Sequence, residues 1–206
     1  MSERSKRAAV TVIACGALAS ELRTVLAGPG LAGVEVRFLP ANLHNRPDGI
    51  VPAIAAIVDG LPADRRPPAG KVFVVYADCG TGGALDSYLV RHPGIGRLPG
   101  AHCYEFFAGS ARFGDLHDAE PGTFYLTDFL AKHFDALVWE GLGLDRHPEL
   151  LPVYFGNYRR VVLLSQSADP RVADSACAAA GKLGLSFEHV PTGLGPFAAA
   201  VARGIA

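Results

Sequence analysis

The chain has 206 residues, half of them hydrophobic, and a formal net charge of -1, which suits one sizeable α/β domain or two small halves. Scattered lysines and arginines argue against a nucleic-acid surface, and four cysteines are too few for a disulfide scaffold at this length. The polar leader at 2–7 and the early break of the following apolar stretch by Glu21 and Arg23 predict neither a signal peptide nor a membrane span, so a soluble cytoplasmic protein with reduced thiols is expected.

In chain order, residues 8–15 read as a strand and 19–26 as a short helix ended by Gly28-Pro29-Gly30. Residues 34–39 alternate and predict a second, less buried strand. A polar loop follows at 40–47, and Asp48 is placed to cap a helix over 49–61 with Ile50, Ile54, Ile57 and Val58 on one face. After a Pro- and Arg-containing linker at 63–70, the run 72–76 is a buried strand that feeds into Asp78-Cys79-Gly80-Thr81-Gly82-Gly83 and a helix start at 84–90. Three strands with two helices between them imply a parallel sheet.

The stretch 91–134 is less regular. Residues 102–107 begin a strand or a helix, and 120–127 read as a turn leading into a helix that continues over 128–134. The short apolar run 136–139 reads as a strand, with a loop after it at 141–150. A helix at 151–155, a strand at 160–165, a helix through 183 begun by Asp169 and Pro170 and ended by Gly184, a strand at 185–190 and a closing helix at 196–203 complete the chain. The expected fold is α/β, a Rossmann-like open, mostly parallel sheet flanked by helices. It forms a single domain over 1–206, with candidate related halves at 8–90 and 135–206.

Three of the stretches that a plain core does not need follow parallel strands, whose C-terminal ends share one crevice. Cys15, His44 and Cys79 are therefore expected to converge, with His102 and Cys103 as further ligands. Thiols plus imidazole make a zinc-type set, expected as Cys79 and Cys103 with His44, His102 or Cys15. No pair has C-x-x-C spacing, and buried free cysteine at a strand end is the plain alternative. Cys177, on an Ala-rich helix, is expected to fill core.

Gly80, Thr81, Gly82 and Gly83 are expected to present N–H groups to an anionic substrate, or else to form a simple tight turn. The turn lacks the G-K-[ST] of a P-loop and is no G-x-G-x-x-G fingerprint, which disfavours nucleotide hydrolysis and NAD binding. Asp78, Glu105 and His147 are the candidate acid/base groups, Glu105 having Arg112 or Arg146 as alternative ion-pair partners. Asn45, Arg46, Thr123, Asp145 and Arg146 are the remaining candidate substrate contacts. A surface loop with a local salt bridge is the alternative for 145–149, and Asp86 is expected to be solvated.

The motifs ACGAL, LHNRP, DCGTGGALD, HCYEFF, EPGTFYLTDFLA, GLGLDRHPEL and YFGNYRRVVLLSQ occur in this order. Through them the chain is similar, over roughly 10–195, to the bacterial and archaeal proteins called domain of unknown function 1638. The resemblance assigns no reaction by itself. Members are often encoded near corrinoid-dependent methyltransferase systems, which implies a role in methyl transfer, one-carbon or methylated-amine metabolism, with a corrinoid on a partner protein. Zinc-bound thiolates are competent methyl acceptors, so that implication agrees with the Cys/His set.

Three functions follow as expectations. The first is a zinc-dependent enzyme acting on a small metabolite. The second is a metal- or corrinoid-handling accessory factor docking on a methyltransferase, which calls for a closed four-ligand site or an exposed apolar patch over Phe106 and Phe107. The third is a metal-free enzyme with Cys79 as nucleophile.

Overall fold

The computed structural model describes residues 10–29, 31 and 33–206. The polar leader, Ala8 and Ala9 of the first expected strand, and Gly30 lie outside the described residues. The chain divides into two compact units, Met1–Cys103 with Ala198–Ala206, and Tyr104–Phe197.

The first unit holds strands β1 (Val10–Cys15), β2 (Glu35–Leu39), β3 (Lys71–Val75) and β4 (Ile95–Arg97), all parallel, in the order β2-β1-β3-β4. The chain leaves β1 toward β2 on one side and returns to β3 on the other, so the strand order reverses between β1 and β3. Residues 11–15 of β1 and 72–75 of β3 are buried without alternation, the pattern of strands covered on both faces. The helix Ile50–Asp59 buries Ile50, Ile54 and Val58, a four-residue repeat that makes one apolar stripe, with Ile57 half-buried beside it. Asp48 does not cap this helix. A 3-10 turn, Pro47–Gly49, leads into it without any side-chain cap.

The second unit holds β5 (Thr123–Thr127), β6 (Arg160–Ser165) and β7 (Ser186–Pro191), parallel and in sequence order. The helix Pro170–Leu183 begins as the sequence predicts. Asp169 accepts a hydrogen bond from the Arg171 N–H at 3.1 Å, Pro170 fills the first helical position, and Gly184 ends the helix at φ 69°. Its buried residues, Val172, Ala176, Ala179, Ala180 and Leu183, join a core with Leu126, Phe134, Val138, Leu144, Phe155 and Leu163. Cys177 lies on the opposite side of that stripe and is exposed, so it does not fill core.

Two expected elements take other forms. Residues 123–127 are strand β5 rather than helix, because Thr-Phe-Tyr-Leu-Thr is β-branched and aromatic and pairs along β6 from Thr123↔Arg160 to Thr127↔Leu164. The helix starts only at Asp128, with the Thr127 hydroxyl accepting from Leu130 N–H at 3.3 Å. The short apolar run ending at Trp139 is a π-helical turn, Asp135–Trp139, closed by Glu140 N–H to the Asp135 carbonyl at 2.8 Å. A four-residue apolar run carries no period that separates strand from helix. Residues 103–108 are helical.

Both parallel sheets fit the Rossmann-like α/β class. Among the described residues, no helix is long and apolar enough to cross a membrane.

In the last turn of the helix Gly195–Ile205, a Cβ on Gly204 would overlap the ring of buried Phe73 on β3. Helix propensity alone favours alanine there by about 0.5–1 kcal/mol. Overpacking against a ring that cannot move aside costs about 1–3 kcal/mol and wins. Gly204→Ala is therefore expected to lower the denaturant midpoint by an amount corresponding to about 1–2 kcal/mol. An unchanged or raised midpoint would show that this contact is loose.

Candidate functional site

The point between β1 and β3 where strand order reverses is where an open parallel sheet leaves a crevice at its C-terminal edge. Cys15 is the last residue of β1, and β3 runs straight into Tyr76 and Cys79. The loop after β2 carries His44 within a 3-10 turn, Ala41–Asn45. Cys15, His44, Tyr76 and Cys79 thus reach one edge because three parallel strands end there.

The Cys15 sulfur accepts from the Ala17 N–H at 3.4 Å and lies 3.6 Å from His44 Nδ1. The same nitrogen is 3.2 Å from the Ala41 carbonyl. If Nδ1 carries the proton it donates to that carbonyl, and Nε2 keeps a bare lone pair. The imidazole stacks on the Tyr76 ring, with centroids 6.0 Å apart and an interplanar angle of 16°. Burial of the ring disfavours the cation and lowers the His44 pKa. The Ala41 carbonyl opposes this and neighbouring His102 adds to it. His44 nevertheless keeps an exposed edge, which limits that shift.

Cys79 is the only non-glycine among the described residues with positive φ, at 49°. Left-handed backbone at a side chain with a Cβ costs about 1–2 kcal/mol, so the surroundings must impose it. Its N–H donates to the Ala101 carbonyl at 2.9 Å. The thiol is buried, and burial pushes its pKa up to about 11, with Cys15 and Asp78 adding to the rise. Burial also raises the Cys15 pKa. Without an ion to hold a thiolate, both sulfurs are protonated at neutral pH.

The glycine turn is spent on Asp78. Its Oδ1 accepts from Thr81 Oγ1 at 2.7 Å and Gly83 N–H at 2.8 Å, and its Oδ2 accepts from Gly82 N–H at 3.1 Å. Thr81 N–H donates to the Asp78 carbonyl at 3.0 Å. Of the N–H groups expected to face a substrate, those of Gly82 and Gly83 are therefore taken by the Asp78 carboxylate and that of Thr81 by the Asp78 carbonyl, so the turn binds its own residue where an external anion would sit. The Thr81 hydrogen bond first, then the Gly83 and Gly82 N–H groups and Arg97, hold the Asp78 carboxyl below its usual range against desolvation. A carboxylate so held is a poor proton acceptor near neutral pH. Gly80 lies against Pro47, where an added Cβ would meet the ring at 3.5 Å, so the loop after β2 touches this turn.

Arg97, at the end of β4, closes the assembly. It grips both oxygens of Asp86 at 2.6 and 2.8 Å and donates to the carbonyls of Leu98 and Gly100 at 2.6 and 3.2 Å. Asp86 is thus a pairing partner rather than a free solvated acid. The Gly100 carbonyl in turn accepts from the Asp78 N–H at 3.1 Å, which fixes the segment leading to His102 and Cys103. His102 is exposed and Cys103 half-buried at the start of the helix Cys103–Ala108. Asn45 and Arg46 are exposed on the loop after β2.

The other expected residues belong to the second unit, where each has a local partner. Glu105 accepts from Ser110 Oγ at 2.6 Å, in place of either expected arginine. Asp145 lies 3.7 Å from Arg146, and His147 Nδ1 lies 3.2 Å from Glu149, on an exposed loop. Thr123 opens β5, at the N-terminal edge of its sheet, opposite the edge where a crevice forms. It donates to the Glu120 carbonyl at 2.5 Å and accepts from Arg160 Nε at 2.8 Å.

Sequence reasoning missed Tyr76 and Arg97 in the first unit. It also missed Asp128, Ser165 and His189 at the C-terminal edge of the second sheet. There Ser165 Oγ lies 2.8 Å from His189 Nε2, and buried Asp128 accepts from the N–H groups of Gln166 and Ser167, both at 2.9 Å. The available signal was the tyrosine hydroxyl at the end of an otherwise apolar strand, since buried tyrosine usually seeks a partner.

A tetrahedral zinc sets a thiolate sulfur and an imidazole nitrogen about 3.5 Å apart. The 3.6 Å from Cys15 Sγ to His44 Nδ1 matches that spacing only in the tautomer protonated at Nε2, in which Nδ1 gives up its hydrogen bond to the Ala41 carbonyl. Among the described residues, no group of three or more His, Cys, Asp or Glu is arranged to hold a metal ion. Two donors fit, and the third is not in position.

Two outcomes are expected here. Because the folded-state pKa of Asp78 is depressed, its stabilisation is complete above the unfolded carboxylate value of about 3.9 and is lost as pH falls through the lower folded value. Asp78→Asn should cost about 1–3 kcal/mol at pH 7, with the gap to wild type closing on acidification. Denaturant unfolding at several pH values measures this. A gap that stays constant to low pH would refute the ionised brace. In metal-free protein at neutral pH, iodoacetamide should label exposed Cys177 at least about tenfold faster than Cys15 or Cys79, as peptide mass spectrometry would show. Fast labelling of Cys79 would reveal an activated nucleophile.

No curated protein and no solved structure matches the chain. A family match covers residues 38–201, taking in His44, Cys79, His102 and Cys103 and beginning after Cys15. Since it spans well over half of the sequence, the chain belongs to the family described as Protein of unknown function (DUF1638).

Proposed function

We propose that the C-terminal edge of the first sheet is a thiophilic-metal site, for zinc, that acts on a small metabolite. The observation that carries this is the approach of Cys15 Sγ to His44 Nδ1 at 3.6 Å where strand order reverses. Cys15 and His44 would hold the ion, with Cys79, His102 or Cys103 as the source of a third donor and one position left open to the ligand. The ion would keep the thiols deprotonated and polarise a bound ligand.

The chain's own residues do the rest. Asp78 shapes the turn that imposes the backbone of Cys79. Arg97 fixes the segment that delivers His102, and the stack on Tyr76 orients the His44 ring. The reaction class within this reading is methyl transfer, either from a methylated corrinoid protein to a small thiol, which loses its proton, or from a methylated amine to a reduced corrinoid protein, which releases the amine. Zinc-held thiolates have the nucleophilicity that such a step needs.

The same Cys15–His44 contact favours a second reading, a thiol–imidazole pair working without metal. The protonated state of both buried thiols weighs against it. The accessory-factor reading loses one of its supports, because Phe106 and Phe107 are buried at 5% and 1% exposure and Phe107 packs on Phe197 with centroids 5.2 Å apart.

Elemental analysis of protein purified without chelator separates these readings. The expected result is about one zinc per chain, lost in Cys15→Ser. Metal-free wild type that does not take up added Zn²⁺ would overturn the proposal in favour of the thiol–imidazole pair.

A further inference from the structure

The second unit holds a cavity of about 400 Å³, within the range of small-molecule sites at about 300–1,000 Å³. One wall is the helix Pro170–Leu183, where Ser175, Ala178 and Ala179 stand at i, i+3 and i+4 and carry too little side chain to fill the space. The other wall is the end of the helix Asp128–Lys132 and the π-helical turn Asp135–Trp139, a kind of irregularity frequent at functional sites. Lys182 on the rim is committed, since its ammonium donates to Asp135 at 2.5 Å and lies 5.2 Å from the centroid of the Trp139 ring. Lys182 and Asp135 therefore cancel. Lys132 and Glu140 also line the cavity, and among the described residues neither side chain has a hydrogen-bonded or ion-paired partner, Lys132 acting on Asp169 only at a distance. One cation and one anion are thus left unspent. A ligand of a single sign would satisfy one and be repelled by the other, whereas a ligand of both signs satisfies both. The floor, formed by buried Ala131, Phe134 and Ala179, is apolar. We infer that this cavity binds a small zwitterion, an α-amino acid with an apolar side chain, whose carboxylate meets Lys132, whose ammonium meets Glu140 and whose side chain lies on the alanine and phenylalanine floor. This site is independent of the strand-end thiols of the first unit.

L-Leucine is the probe, with 4-methylpentanoate and isopentylamine as its counterparts of single charge, each titrated calorimetrically into the protein. L-Leucine is expected to bind with a Kd at or below about 1 mM, and each counterpart about tenfold more weakly, the scale for losing one charged partner. Lys132→Gln and Glu140→Gln should each weaken L-leucine binding by about the same factor. In Glu140→Gln the preference for L-leucine over 4-methylpentanoate should disappear, which a merely structural role of Glu140 would not produce. Ala178→Leu keeps a good helix former on the helix surface, so the variant should melt close to wild type while the added side chain fills the cavity and abolishes binding. Wild-type protein that binds no L-leucine at about ten times that concentration would overturn the assignment. So would 4-methylpentanoate or isopentylamine binding as tightly as L-leucine, or wild-type affinity in Ala178→Leu.

Discussion

One carboxylate holds the C-terminal edge of the first sheet in place. Asp78 sits where β3 ends and gathers the Thr81 hydroxyl and two glycine N–H groups around itself. Charge-assisted hydrogen bonds of this kind contribute more than neutral ones, and three of them stabilise a turn whose backbone would otherwise be unfavourable. The left-handed conformation of Cys79 follows directly, because the residue lies between a strand and a turn that are both fixed. Its thiol is directed into the strand ends by that constraint and not by any preference of its own.

Around this turn the first unit builds outward in connected steps. Arg97 links the helix Ala84–Val90, through Asp86, to the carbonyls of Leu98 and Gly100. The Gly100 and Ala101 carbonyls accept from the backbone N–H groups of Asp78 and Cys79. The loop after β2 meets the turn at Pro47 and Gly80 and carries His44 to Cys15. Burial then sets the chemistry. It raises both thiols and disfavours the His44 cation, so the resting edge is close to neutral apart from the Asp78 carboxylate. A neutral, soft, half-enclosed set of donors suits a thiophilic cation better than it suits an anion.

The second unit uses the same physics at its two edges for different ends. At the N-terminal edge, Arg160 ties Thr123, Glu188 and the Leu116 carbonyl together. At the C-terminal edge, Asp128 fastens the loop after β6 to the end of β5 through Gln166 and Ser167. In both units an acidic residue just past a strand is consumed by backbone N–H groups. Asp78 and Asp128 each brace the backbone that follows their strand.

The sequence alone determined the parallel α/β class, because uninterrupted apolar runs such as 72–76 and 160–165 separated by helix-length segments permit little else. It also determined the helix begun by Asp169 and Pro170 and ended by Gly184, where the signals are local and stereochemical. It pointed to the crevice holding Cys15, His44 and Cys79, since three parallel strands must end on one side. Tertiary structure decided the rest. Residues 123–127 became a strand because β6 was there to pair with them, and the run ending at Trp139 coiled because no strand was. Cys177 went outward because its alanine neighbours took the core side. The glycine turn spent its N–H groups on Asp78 because the carboxylate lies within the turn it closes, which no spacing rule reveals. Tyr76, invisible as one more aromatic in an apolar run, stands beside two thiols because folding set its ring against His44. Local propensity and strand direction are written along the chain, whereas the partner of a buried polar atom is settled only when distant segments pack.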